Sequence, residues 1–245
     1  MDIGRLLEET YDLNIDGILQ AEGLIPQPDE AIPISAGGDP IERSLTGALS
    51  LRIHSIAYGV AQTCANNEIA IIESRDYLKL WMLQRSPVRF LGAGRALLAA
   101  TMPGNRLAHA GAQVSFMGGN VPLPNSFLGG GVIACSASGK TKPVLEAMDI
   151  AKRNNPDIRI IGLASKDARD FRELCDVFIG IHSEGKVANP LSALADTEEY
   201  IIAELLDGLV VAAGLTLSFN DDSWRRGHED IGPTGPYAPA GIERG

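Results

Sequence analysis

The sequence predicts an α/β protein: a five-stranded, doubly wound parallel sheet flanked by helices, with a helical extension at its N-terminus. After Arg85, five short apolar runs alternate with amphipathic segments, a pattern typical of βαβ units whose strands are buried on both faces. Before Arg85, apolar residues recur at three- and four-residue spacing, as they do on one face of a helix. Of the 245 residues 45% are apolar, which excludes wholesale disorder.

Residues 1–72 are predicted to form the helical extension. Ile3, Leu6 and Leu7 begin an amphipathic segment, and residues 21–40 form a connector rich in Pro and Gly. A further helix is expected from about residue 73 to residue 84. Between them, one apolar stripe at helical spacing consists of Ile41, Leu45, Leu49, Ile53, Ile56 and Val60.

Residues 73–219 are predicted to form the sheet domain, and residues 220–245, rich in Gly, Pro and charge, an irregular tail. Helices are expected around 95–110, 141–154, 167–174 and 194–217. A doubly wound sheet binds its ligands beyond the carboxyl ends of the strands, where loops meet helix N-termini. The expected strands are Val88–Leu91, Gln113–Met117, Gly131–Cys135, Ile158–Leu163 and Val177–Ile181.

The composition restricts the expected cellular location of the protein and its expected binding partners. No run approaches the roughly 18–20 apolar residues of a membrane span, and the acidic start shows no secretory signal. Cys64, Cys135 and Cys175 follow no metal or disulfide pattern, so reduced thiols in a cytoplasmic protein are expected. A net charge of −10 argues against nucleic acid as a partner.

The loop after the first predicted strand is rich in small residues and contains Gly92, Gly94 and Arg95. Glycines let the backbone approach a ligand, and the following helix offers unpaired N–H groups to an anion. A dinucleotide fingerprint would need a third glycine where Leu97 stands and an acid after Met117, where glycines follow. The loop is therefore a candidate binding site, but its pattern disfavours a Rossmann cofactor.

The loop after the third predicted strand is rich in hydroxyls. Its end resembles a nucleotide-binding P-loop, but Ala134 stands where that motif needs glycine. Ser136, Ser138 and Thr141 share one turn, and three hydroxyls with helix amides can satisfy a phosphomonoester without a metal. The alternative is an ordinary helix cap, which needs only one hydroxyl. The surplus hydroxyls favour a phosphate ligand.

The order of these motifs resembles the sugar isomerase (SIS) domain family. Strand, G-x-G-R, helix, strand, loop, strand and then S-x-S-G-x-T before a helix cover roughly residues 73–214. Within that superfamily the sequence is most similar to the 6-phospho-3-hexuloisomerases, and next to the arabinose 5-phosphate isomerases. The resemblance implies that Ser136, Ser138 and Thr141 bind the phosphate of a sugar, with help from the amide near Gly139.

Three residues depart from the family pattern around the two loops. Ala137 stands where glycine is common, Lys140 where glutamate is common, and Ala96 where serine often follows the arginine. Lys140 would place an additional cation beside the phosphate, and Arg95 would steady the sugar or its phosphate. These departures put the preferred substrate in question and leave the implied phosphate site in place.

Moving a carbonyl to the neighbouring sugar carbon requires one proton to be shuttled across an enediol, which a single tuned carboxylate can do. Glu199 lies early in a predicted helix, eight residues before Asp207, and this spacing resembles the hexuloisomerase helix that carries the catalytic base. The alternative is that an acid in the first turn only stabilises the helix dipole.

Other groups are candidates for opening the sugar ring, a step that suits histidine. Glu184 is placed like a glutamate of the arabinose 5-phosphate isomerases, with an exposed loop acid as the alternative. His228 partly matches their His-Pro-Gly-Gly segment. His109 lies in a segment like one of the hexuloisomerases, with a structural role at a helix end as the alternative. His182 is a weaker candidate, and His54 is interpreted as structural.

The sequence therefore predicts a cofactor-independent phosphosugar isomerase that acts through an enediol, on a ketohexose 6-phosphate or a related sugar phosphate. It shows no metal-ligand spacing and no G-x-S-x-G nucleophile motif. The rival hypothesis is a non-catalytic sugar-phosphate sensor, since the phosphate loop works without the base. An amino-sugar isomerase or a lyase on the same scaffold is a third. The resemblance further implies a homodimer or homotetramer with shared active sites.

Overall fold

The computed structural model describes residues 40–118, 130–183, 196–220 and 222–225. The chain divides into two compact units, Met1–Ser50 and Leu51–Gly245, and all side-chain contacts given below belong to the second. The predicted segment at Ile3, Leu6 and Leu7 lies outside the described residues. The main helices in the described part of the chain are α1 (Pro40–Asn66), α2 (Glu68–Gln84), α3 (Arg95–His109), α4 (Lys142–Asn154), α5 (Arg169–Glu173) and α6 (Asp196–Thr216). A further helical turn covers residues 222–225, in the tail that was predicted to be irregular.

The five strands form one parallel sheet in the order β2-β1-β3-β4-β5. Neighbours pair in parallel register, with Phe90 opposite Ile133 and Ile161 opposite Val177. The chain runs outward from β1 to β2 and then restarts at β3, so the point where the order reverses lies between β1 and β3. The strands are β1 (Pro87–Gly92), β2 (Gln113–Gly118), β3 (Gly131–Ser136), β4 (Arg159–Ser165) and β5 (Val177–Ile181).

Helices cover both faces of this sheet and bury a separate core on each. On one face α2, α3 and α6 contribute Leu78, Leu107 and Leu206 to a cluster that also contains Phe90 of β1. On the other face α4 and α5 pack on the sheet, and Phe171 of α5 is fully buried there. β3 is buried along its whole length, as expected of a central strand of a doubly wound sheet.

The outer edge of β5 is paired with side chains from the junction of α1 and α2. The Asn67 amide accepts a hydrogen bond from Gly180 N at 2.9 Å and donates to Gly180 O at 3.0 Å. Thr63 Oγ1 accepts from His182 N at 2.9 Å. These contacts give the outermost strand the partners that another strand would supply.

The structure confirms the predicted fold class: a five-stranded, doubly wound parallel sheet flanked by helices. All five predicted strands are present: β5 has the predicted ends, and the ends of the other four differ from prediction by at most two residues. α2 begins at Glu68, five residues before its predicted start. No helix in the described part of the chain is long and apolar enough to cross a membrane.

Candidate functional site

The loop after β1 turns sharply into α3 and presents Arg95 at its first helical position. A Cβ on Gly92 would lie 3.0 Å from Leu97 N, so only glycine permits this close approach of loop and helix. Gly94 has φ +56°, in the range that favours glycine, although open space surrounds it. The two predicted glycines therefore shape the turn, one through crowding and the other through backbone conformation.

The loop after β3 is closed by hydrogen bonds among its own hydroxyls and amides. Ser136 Oγ is 3.0 Å from Thr141 Oγ1 and accepts from Gly139 N at 3.1 Å. Ser138 Oγ accepts from Lys140 N at 3.2 Å. Ser136 is buried, whereas Ser138 and Lys140 are exposed. Thr141 is the N-cap of α4, yet its hydroxyl makes no capping bond, so ordinary capping does not account for it.

The shape of this loop depends on a second loop behind it. Gly139 has φ +64°, and a Cβ on it would collide with the Ala168 Cβ. Ser165 N also donates to Ala137 O at 3.1 Å. The hydroxyl-rich turn is therefore packed against the loop that follows β4. Because β1 and β3 are neighbouring strands, the hydroxyl-rich turn after β3 lies beside the loop after β1 that leads to Arg95.

Glu199 and Arg95, both predicted as site residues, form an ion pair. Glu199 lies in the first turn of α6, and its Oε2 is 2.7 Å from Arg95 Nε. The Glu199 side chain is 14% exposed and that of Arg95 47%. A second pair joins Arg106 Nε to Asp207 Oδ1 at 2.6 Å, further along the same two helices. One ion pair joins the starts of the two helices and the other joins later residues of both, so α3 and α6 lie parallel and begin at the same edge of the sheet.

The end of β5 adds polar groups beside the start of α6. Ser183 Oγ donates to Glu198 Oε1 at 2.9 Å. His182 is partly buried. Desolvation and the nearby Lys166 ammonium lower the pKa of His182 below its ordinary value of 6.5, and Asp167 partly opposes them. A neutral imidazole is therefore the main form of His182 at pH 7.

His109, also predicted as a catalytic group, is not brought to this edge. His109 is the last residue of α3, about 20 Å along the helix from Arg95 at 1.5 Å per residue, and so at the opposite end. It borders an open groove of about 520 Å³ that Met102 and Trp224 also line. Glu184 and His228 lie outside the described residues.

Two contacts were not anticipated from the sequence, one at this edge and one further along α3 and α6. The Ser183–Glu198 bond joins residues with no shared motif, and no signal in the sequence pointed to it. The role of Asp207 in holding Arg106 was signalled indirectly. Eleven residues on α3 make about three turns of a helix and eight on α6 a little over two, and both pairs form between these two helices.

Metal-binding and reactive-thiol chemistry find no support in the described part of the chain. No cluster of three or more His, Cys, Asp or Glu side chains that could hold a metal ion was found there. Burial raises the pKa of Cys135 to about 12, and burial with the neighbouring Asp176 raises that of Cys175 to about 12. These two thiols stay protonated at neutral pH and are poor nucleophiles.

Comparison with solved structures shows that the chain has the sugar isomerase (SIS) fold, which confirms the resemblance in the sequence at the level of the fold. It is similar to a Methanococcus jannaschii protein for which the function of a 3-hexulose-6-phosphate isomerase was inferred from its crystal structure. That match has 20% identity and a TM-score of 0.58, and it covers 72% of this chain and 96% of the other.

Two further structures carry ligands. An E. coli CFT073 protein in complex with arabinose 5-phosphate matches at 17% identity and TM-score 0.60, over 78% of this chain and 100% of its own. Vibrio vulnificus NanR in complex with ManNAc-6P matches with 18% sequence identity and a TM-score of 0.59. This match covers 77% of this chain and 70% of the NanR chain. No protein-family model matches the sequence, and no curated protein sequence matches it either.

Proposed function

We propose that the protein is a cofactor-independent phosphosugar isomerase. The observation that carries the proposal is the Arg95–Glu199 ion pair, which brings a carboxylate to the sheet edge from which the hydroxyl-rich loop also projects. In this proposal Ser136, Ser138 and Thr141 bind the sugar phosphate. Their present bonds to one another and to loop amides are ones that phosphate oxygens can replace, because each hydroxyl both donates and accepts.

Glu199 is the proposed base that moves the proton. It removes a proton from the carbon beside the carbonyl, which leaves an enediolate. A proton then passes from the hydroxyl oxygen to the former carbonyl oxygen, and Glu199 returns the first proton to the former carbonyl carbon. The low exposure of the carboxylate limits its hydration, and Arg95 fixes its orientation. Lys140 and the Gly139 amide add positive charge and a donor for the phosphate.

The substrate proposed is a ketohexose 6-phosphate or a related sugar phosphate. The solved structures that bind arabinose 5-phosphate and ManNAc-6P share this fold, as does the one for which 3-hexulose-6-phosphate isomerase is inferred. All three concern phosphorylated sugars, and the hydroxyl-rich loop of this chain suits the group that these sugars share. We also propose a homodimer or homotetramer with shared active sites. In this assembly His109, which is distant from Glu199 within one chain, serves the site of a neighbouring subunit, and Glu184 and His228 are further catalytic residues.

The second candidate function is a sugar-phosphate sensor without catalysis. The likeness to NanR in complex with ManNAc-6P favours it, because the phosphate loop needs no base in order to bind. The two candidates differ only in whether a proton leaves the sugar carbon.

Deuterium uptake from heavy water into a panel of phosphosugars, followed by NMR, separates the two functions. An isomerase incorporates deuterium at a sugar carbon, and Glu199→Gln lowers that rate by about a hundredfold or more, the usual contribution of a general base. The variant should still bind the sugar, as seen by thermal stabilisation. Stabilisation of the wild type without any deuterium uptake would establish the sensor instead, and an unaffected rate in Glu199→Gln would refute this assignment of the base.

A further inference from the structure

The end of β5 places an imidazole at the same edge as the proposed phosphate loop. His182 directly follows Ile181, the last residue of β5. Its N–H donates to Thr63 Oγ1 at 2.9 Å, and its carbonyl oxygen would lie 3.0 Å from a Cβ placed on Gly59. α1 therefore packs against the backbone of His182 and fixes the point from which its side chain projects.

The residue after His182 is hydrogen-bonded to the start of α6, where the proposed base lies. This residue, Ser183, donates its hydroxyl hydrogen to Glu198 Oε1 at 2.9 Å. Glu199 follows Glu198 along the helix. One hydrogen bond thus joins the residue after His182 to the residue before Glu199, so the end of β5 is held against the start of α6 at this edge.

The charged groups around His182 come from two elements. The loop after β4 contributes Lys166, whose N–H donates to Ile181 O at 3.3 Å, and Asp167. α6 contributes Glu198, whose Oε1 accepts the hydrogen bond from the Ser183 hydroxyl next to His182. With desolvation and Lys166 lowering its pKa, His182 stays neutral at pH 7. One of its ring nitrogens can accept a proton while the other donates.

We infer that His182 is the group that opens the sugar ring for the isomerisation proposed above, and this inference rests on that proposed function. The imidazole takes the proton of the anomeric hydroxyl as the carbonyl forms. The bond between the anomeric carbon and the ring oxygen breaks, and the proton returns to that oxygen. No proton or electron is gained or lost, and the open-chain sugar is then the form on which Glu199 acts.

Ring opening can be measured apart from isomerisation. Exchange between the anomers of arabinose 5-phosphate or fructose 6-phosphate requires the ring to open and close, and NMR magnetisation transfer reports its rate. In the Glu199→Gln background, which removes carbon chemistry, His182→Asn should lower the protein-catalysed exchange by about tenfold or more, given the usual range for acid–base catalysis. His182→Gln provides a second variant, and its thermal midpoint checks folding.

An open-chain probe gives the complementary measurement with Glu199 intact. Erythrose 4-phosphate cannot close to a furanose, because its 4-oxygen carries the phosphate. Deuterium uptake into this sugar should therefore be the same within about twofold in the wild type and in His182→Asn, since acid–base catalysis of ring opening does not enter its rate.

The titration of His182 tests its placement without any activity. In the ligand-free protein, NMR should give a midpoint below that of an unperturbed histidine, and Lys166→Met should raise it. Lys79→Met, which removes a positive charge from α2, is the matched control and should leave it unchanged. A midpoint that does not respond to Lys166→Met would show that the imidazole does not lie beside that ammonium, and would overturn the inference.

The kinetic outcomes separate this inference from the proposed function. Anomer exchange that is unchanged in His182→Asn, while the wild type isomerises fructose 6-phosphate, would overturn the ring-opening role and leave the isomerase intact. Equal loss of ring opening and of deuterium uptake into erythrose 4-phosphate would also overturn it, because His182 would then act on the carbon step or on binding. A wild type that catalyses neither anomer exchange nor deuterium uptake with any of these sugars would refute both proposals.

Discussion

Arg95 and Arg106 make similar ion pairs between the same two helices, yet only Arg95 holds a residue of the proposed site. Their side chains are 47% and 41% exposed, and their carboxylate partners 14% and 21%. Partly exposed pairs of this kind contribute about 0–1 kcal/mol to stability. The value of the Arg95–Glu199 pair therefore lies in orienting the carboxylate rather than in stabilising the fold.

This difference gives a matched comparison at the level of single residues. Arg95→Gln and Arg106→Gln should each change the free energy of unfolding by less than about 1 kcal/mol. Arg95→Gln should also lower kcat by about tenfold or more, because a misplaced catalytic group loses rate steeply with position, whereas Arg106→Gln should keep it. Denaturant unfolding and steady-state kinetics measure the two effects. Equal losses of kcat would show that the pairs only align the helices.

Sequence reasoning reached Glu199, Arg95 and the hydroxyl-rich loop separately, because each lies in a recognisable local pattern. It did not show that Arg95 contacts Glu199, since the two are 104 positions apart and only the packing of α3 on α6 brings them together. Conversely, a helix-end histidine such as His109 resembles a catalytic group in sequence. Its distance from Arg95 becomes evident only when α3 is known to be an uninterrupted helix.

At the level of elements, α1 and α2 complete the sheet as well as covering it. The Asn67 side chain satisfies both backbone groups of Gly180 and also donates to Thr63 O at 2.7 Å. Its neighbour Asn66 donates only within its own helix, to Gln62 O at 2.7 Å, and is exposed. Two adjacent asparagines therefore differ mainly in whether they contact β5.

Asn67→Ala should lower the free energy of unfolding by about 1–3 kcal/mol, the usual cost of leaving partly buried backbone groups unpaired. Asn66→Ala should change it by no more than about 0.5 kcal/mol, as surface substitutions usually do. Urea unfolding of both variants makes the comparison. A loss in Asn67→Ala no larger than in Asn66→Ala would mean that water replaces the amide at this edge.

The strands were predictable because five apolar runs are separated by amphipathic segments, and burial on both faces leaves that signature. The start of α2 was less predictable. Residues 69–72 are all apolar, and an unbroken apolar run carries no helical period. The role of Asn67 could not be predicted either, because an asparagine between two helices resembles an ordinary connector.

On the scale of the whole molecule, Asp176 links α4 and β4 to the start of β5, at the end of the sheet opposite the proposed site. Its carboxylate pairs with Lys152 of α4 and Arg159 of β4 and accepts from Ile160 N at 2.8 Å. Burial acts to raise the pKa of Asp176, but the hydrogen bonds from Lys152 and Ile160 and the charge of Lys152 outweigh it, so the pKa is lowered.

A lowered pKa in the folded state makes stability depend on pH. The contribution of Asp176 is fully present above the carboxyl's unfolded pKa, near its ordinary value of 3.8, and is lost as the pH falls through the lower folded pKa. Asp176→Asn should therefore lower the thermal midpoint at pH 7, and its deficit relative to wild type should shrink below about pH 4.

Asp149→Asn is the matched control, because Asp149 pairs with Arg153 on the exposed face of α4 and should have little effect at either pH. Thermal unfolding followed by circular dichroism between about pH 3 and pH 7 measures both variants. A deficit in Asp176→Asn that stays constant across this range would show that the carboxylate's ionisation does not contribute to stability.

The pairing of β5 with Asn67 and Thr63 also determines how the molecule avoids aggregation. An outer strand with open amides is a template on which sheets of separate molecules can join. Here the same chain occupies part of that template, at Gly180 and His182. A shortened polypeptide beginning at residue 73 would keep all five strands of the described sheet yet uncover this edge. It should therefore precipitate or dimerise strand-to-strand where the longer chain does not.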